Sequence, residues 1–183
     1  MSSKVNIIGI IKGHMWTFRD RRSDKVSILD LILFFAIPLV VAVISGQYKY
    51  LLSKEVVSNL VTAGVLLSGL LLNLIVLVYN LKEKLPKVDS KDPNHVQVQL
   101  KHSVLVELYY NISYATIVSF LMLLVAIGHN MLDKIKFDNT QGVQSDFING
   151  VITDPILIFL SLNLVLSFFM IIKRTYKLLI SDE

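Results

Sequence analysis

Four apolar stretches, each about as long as a bilayer is thick, decide what this chain can become. They run from Val26 to Gly46 (VSILDLILFFAIPLVVAVISG), from about Val56 to Leu81, from Val104 to Gly128 and from Val151 to Ile172. A hydrocarbon core of about 30 Å is crossed by roughly 20 apolar residues in a helix. The runs lack the alternation of a membrane strand, and lipid leaves the helix as the other way to pair every backbone group. The expected fold class is an all-α membrane protein, a four-transmembrane-helix bundle. The first span is too long for the 7–15-residue core of a signal peptide, and a polar, basic segment precedes it, so it reads as a retained span.

Composition supports that class. Hydrophobic residues make up 54% of the 183 and charged ones 17%, against about 25% charged in soluble domains. So few charges do not cover a water-facing surface. The absence of cysteine excludes disulfides, thiolate catalysis and cysteine-ligated zinc. The basic residues lie beside the apolar spans, which fits an anionic membrane surface and gives no expectation of direct nucleic-acid binding. The sequon Asn111-Ile112-Ser113 falls inside a span.

Charge also sets the expected orientation. Lys4, Lys12, Arg19, Arg21, Arg22 and Lys25, then Lys82, Lys84, Lys87, Lys91 and Lys101, then Lys173, Arg174 and Lys177 all fall on one side. Those fourteen oppose four on the other side, Lys49, Lys54, Lys134 and Lys136. The positive-inside rule puts the richer side, with both termini, in the cytoplasm, at the inner (plasma) membrane of a cell. The chain thus divides into a basic cytoplasmic segment (1–25), a transmembrane domain (26–172) and a cytoplasmic tail (173–183).

In the first segment, Ile7, Ile8, Ile11, Met15 and Phe18 recur at helical spacing, with Lys4, Lys12 and His14 on the remainder. An N-terminal interfacial amphipathic helix is expected, with Trp16 at headgroup depth. Arg19, Arg21, Arg22, Lys82, Lys84, Lys87, Lys173 and Arg174 form the expected basic face for lipid or a cytoplasmic protein partner. His95 and His102, seven apart in the middle loop, suit one helix face, but without a carboxylate at fixed spacing they do not make a metal site. The second outer loop, roughly 129–150, is expected to fold as a small amphipathic cap. No cofactor or metal is expected.

Polar residues inside the spans are the candidate functional groups, because hydrocarbon cannot satisfy them. In the second span Asn59, Thr62, Leu66, Gly69, Asn73, Val76 and Asn80 make one heptad stripe, expected to face protein rather than lipid. Gly64 and Ser68 add a small-xxx-small pair for close helix approach. Counting from the basic boundary at 1.5 Å per residue puts Asn73, Ser113, Tyr114 and Asn163 at a common depth of roughly 13–15 Å. A second layer holds Asp30, Asn80, Glu107 and Asn111, and Glu107, Asn111 and Tyr114 follow one another at i, i+4, i+7. Glu107 and Asp30 are expected to pair with Lys173 or Arg174. Asp154-Pro155 reads as the start of a helix, and Pro38 as a kink with a carbonyl left over beside it. These groups either hold helices together or line a hydrated path.

Enzyme motifs are absent: no Gly-rich phosphate loop, no H-E-x-x-H, no G-x-S-x-G. Two functions of different kind remain. One is an oligomer that forms or gates a pore, or otherwise disturbs the membrane as an effector. The other is a non-conducting scaffold subunit that anchors a cytoplasmic protein. Thr17 to Asp20 (TFRD), Asp30 to Leu39 (DLILFFAIPL) and the span carrying Asn59, Thr62 and Asn73 resemble segments of small four-span bacterial inner-membrane proteins of antiphage systems. The membrane subunit of Kiwa and small CRISPR-associated membrane proteins are of this kind. The resemblance implies a partnered, oligomeric protein acting during phage infection, and it carries no functional residues with it.

Overall fold

The computed structural model describes residues 6–19, 27–48, 52–86, 95–135 and 148–180. Among these there is no strand. The elements are α1 (Ile7–Trp16), α2 (Ile28–Gln47), α3 (Lys54–Glu83), α4 (His95–Ile135) and α5 (Asp154–Ile180), the last preceded by a π-helical turn at Asn149–Thr153. Helices α2 to α5 are long and apolar enough to cross a membrane, with mean hydropathies of 2.7, 2.4, 1.9 and 2.5. The chain therefore has the all-α, four-helix make-up of a multi-pass membrane protein, and its described helices overlap each expected span. α4 is the least apolar of the four and the most enclosed, 56% of its span buried against 17–28% for the others. Helices wrapped in protein do not need the apolarity that lipid demands. Most of the expected outer cap, residues 136–147, lies outside the described residues.

Two compact units make up the chain. One comprises Met1–Ser27, Leu70–Thr116 and Ser167–Glu183, the other Ile28–Gly69 and Ile117–Leu166. The fourteen basic residues of the richer side all belong to the first, and the remaining four to the second.

In the second unit, packing depends on small residues. Gly64 of α3 lies where an added Cβ would stand 3.1 Å from that of Leu123 on α4. One turn on, the Ser68 hydroxyl donates to the Gly64 carbonyl at 2.6 Å and lies 2.9 Å from the Ser119 hydroxyl of α4. The Gly64/Ser68 pair thus brings α3 against α4, as its spacing predicts. α2 contains a π-helical turn at Ile32–Ala36, after which Pro38 falls in the first turn of the next α-helical segment. That is where a missing N–H costs least, so the extra residue of the π turn accommodates the proline.

In the first unit, α1 is capped by Asn6, whose side chain accepts from the Gly9 N–H at 2.8 Å. The helix is placed differently from expectation. His14, Thr17 and Phe18 are buried, while Ile7, Ile8, Ile11 and Trp16 are exposed. The expected face of Ile7, Ile8 and Ile11 does point away from the protein, but His14, assigned to the solvent side, is wholly inside. Gly13 permits this seating, since a Cβ there would collide with the Tyr110 ring of α4.

Candidate functional site

The chain's polar residues fall into inward clusters and one outward stripe. The first cluster is built on α1. The His14 Nδ1 lies 2.9 Å from Asn111 Oδ1, and its ring stacks on Tyr114 with centroids 3.8 Å apart and planes 4° apart. Phe18 meets the same ring edge-on at 4.9 Å. The Thr17 hydroxyl donates between the His14 carbonyl, at 2.6 Å, and Asn111 Oδ1, at 3.0 Å. Arg174 of α5 closes the cluster: one guanidinium nitrogen holds Glu107 at 2.7 Å, and the other donates to the Thr17 carbonyl at 2.7 Å. The i, i+4, i+7 face of α4 is therefore real, and α1 covers it. Burial pushes the His14 imidazole from its usual 6.5 down to about 4. The Asn111 hydrogen bond opposes this shift and the Arg174 charge adds to it.

The second unit holds polar contacts of its own. The Asn163 side chain, fully buried, donates to the Phe34 carbonyl at 2.9 Å. Pro38, four residues on, has no N–H to offer that carbonyl; the carbonyl expected beside the kink is the one Asn163 reaches. The Ser68–Ser119 contact is the next. Another joins His129 Nε2 to Asp154 Oδ1 at 3.0 Å, with the other carboxylate oxygen accepting from the Leu52 backbone N–H at 3.2 Å. Asp154 is thus more than helix-start chemistry. It is a wholly buried acid tied to α4 and to the α2–α3 connection.

The outward stripe is the heptad on α3. Asn59, Thr62, Leu66, Gly69, Asn73, Val76 and Asn80 are all exposed, while Val57, Gly64, Ser68, Leu71 and Val78 are buried. The stripe therefore turns away from the chain's own helices, so a protein-facing role for it requires another molecule. Asn73 follows Gly64 by nine residues, two and a half turns, and so stands on the opposite side of the helix. Among the described residues, no other helix covers this stripe. Thr62 bonds its own turn through the Ser58 carbonyl at 3.2 Å, and an added Cβ at Gly69 would meet nothing within 4 Å.

The nine candidate polar residues therefore separate. Glu107, Asn111 and Tyr114 meet around α1, Asn163 serves α2, and Asn59, Thr62, Gly69, Asn73 and Asn80 face outward. Of the basic face, Arg19, Lys82, Lys84 and Lys173 are exposed. Arg174 is instead occupied by Glu107, as its pairing predicts, and Arg21, Arg22 and Lys87 lie outside the described residues. His95 and His102 line one cavity of about 800 Å³ with Tyr79, Lys82 and Gln99, and no metal-binding group of three ligands occurs among the described residues.

His14, Thr17, Ser119 and His129 were not legible as site residues. The available signal was weak: an ionisable residue at the edge of an apolar run, as at His129 and Asp154, merits a partner. Protein-family models, curated proteins and solved structures contain no match to the chain.

Proposed function

We propose that the chain is the subunit of a homo-oligomeric inner-membrane assembly, its basic side in the cytoplasm, that forms or gates a pore. The observation that carries this is the exposed stripe of α3. Three amides at heptad spacing on a membrane-crossing helix have nothing in hydrocarbon to bond. A second copy offers the same amides at the same depth, and an amide both donates and accepts, so the stripe complements itself. A seven-residue repeat keeps two such helices in contact along a left-handed crossing, and Gly69 leaves room for close approach. The inward polar groups are taken up by bonds within the chain, so the stripe is the polar surface from which a shared hydrated path is built. An effector that depolarises the membrane during phage infection fits this reading and the resemblance to antiphage membrane proteins.

Replacing Asn59, Asn73 and Asn80 together by Leu tests it. Interhelical hydrogen bonds in membranes average about 0.6 kcal/mol each, so losing three weakens association about twentyfold. Molecular mass in mild detergent and ion flux from proteoliposomes are the readouts, and both are expected to fall while insertion is unchanged. Unchanged mass and flux overturn the reading. A stable oligomer that carries no current supports the scaffold function instead.

A further inference from the structure

The α1 cluster suggests a role separate from the α3 stripe. In α1 and the turn that follows it, the residues directed inward are a histidine, a threonine and a phenylalanine, while isoleucines and Trp16 face out. Its attachment thus depends on a few directional polar contacts rather than on a broad apolar face. The polar contacts of the first cluster centre on His14. The ring is clamped between Asn111 and Tyr114 of α4, edged by Phe18, and bordered by the Glu107–Arg174 pair. Among the described residues, the carboxylate beside the ring is that of Glu107, and Arg174 is paired with it.

We propose that His14 is a proton-binding site whose occupancy releases α1 from α4 and α5. The neutral ring that donates from Nδ1 to Asn111 takes its proton at Nε2. The result is a full positive charge, wholly buried, on an element that also carries the Arg174 contact. A charge taken out of water is expensive, whereas the same imidazolium outside the protein is solvated. Docking is therefore complete above about pH 6.5, where both states are neutral. It weakens as pH falls toward 4, the value to which burial lowers His14, because there the undocked state binds the proton more tightly. At pH 5 the docking equilibrium is expected to be about 30-fold weaker than at pH 7.5. Release uncovers Asn111, Tyr114 and the Glu107–Arg174 pair, a polar face otherwise closed by Thr17 and His14.

The chain reports on this itself, since its single tryptophan is Trp16 on α1. The full-length protein in lipid nanodiscs is titrated from pH 7.5 to 4.5. Trp16 emission is followed together with amide exchange of residues 7–16, corrected for the intrinsic pH dependence of exchange. The wild type is expected to pass from protected to exchanging between pH 6.5 and 4, approaching the signal of Gly13→Leu, which collides with Tyr110 and stays undocked throughout. His14→Gln is expected to lose the transition, whichever state it occupies. Protection that persists in the wild type to pH 4.5 overturns the proposal, and so does an unaltered transition in His14→Gln, which would assign the proton to another group.

Discussion

Replacing Asp154 by Ala is expected to lower the stability of the protein by about 3–5 kcal/mol, the cost of breaking one side of a buried pair. The side chain is fully buried and joins two segments: one oxygen lies 3.0 Å from His129 Nε2 on α4, and the other accepts from the Leu52 N–H ahead of α3. Alanine takes the partner from both groups and leaves a void among the helix ends. An asparagine side chain keeps one acceptor oxygen, so Asp154→Asn is expected to fall between the wild type and the alanine variant. Replacing both His129 and Asp154 by Leu removes both partners together; such exchanges of buried pairs are often neutral or stabilising. The double variant is therefore expected to be closer to wild type than Asp154→Ala alone. Reversible unfolding in mixed detergent micelles gives the four stabilities. A double variant as unstable as the single one would show that the pair does not stabilise through its mutual contact.

Much of this architecture was legible because the bilayer imposes it. Length and apolarity alone located the four crossing helices, since hydrocarbon permits no other continuous backbone there. The Gly64/Ser68 contact and the Glu107–Arg174 pair were legible for a related reason. Small residues four apart permit one close approach, and an acid one turn inside a boundary seeks a basic partner at the same level. The heptad of Asn59, Asn73 and Asn80 was equally plain as a stripe. Its direction was not, because periodicity says which residues share a face and not which way the face points. The chain's own helices take the opposite face, through Val57, Gly64 and Ser68.

The α1 cluster escaped for a different reason. The apolar spacing of α1 located its lipid-facing side, but the remainder, with His14, was read as facing water when it faces protein. Next to lipid the outward side is the apolar one, so Ile7, Ile8 and Ile11 mark the exterior, and His14 and Thr17 the contact. Nothing within residues 6–19 identifies Asn111 as the partner, ninety-seven residues away. Asp154 was hidden by its neighbour, because Asp-Pro at the head of an apolar run satisfies the helix-start pattern without any tertiary contact.

Asn163→Leu is the second change expected to act strongly, and a partner variant identifies its cause. The Asn163 amide is wholly buried and donates to the Phe34 carbonyl. Leucine matches its size but donates nothing, so a buried acceptor loses a partner, at a cost of about 1–3 kcal/mol. The size of that loss depends on Pro38. In a regular helix the N–H of residue 38 would serve the carbonyl of residue 34, and proline has none. Pro38→Ala supplies the missing donor four residues along the same helix. In that background Asn163→Leu is expected to cost less, with a coupling of about 1 kcal/mol in the double-mutant cycle. Unfolding measurements on the four proteins read this directly. Additive losses would mean that Asn163 stabilises the packing of α5 against α2 by other contacts and that the proline is incidental. Coupling would establish that a side chain on α5 supplies, across 129 residues of sequence, a hydrogen bond that Pro38 cannot offer.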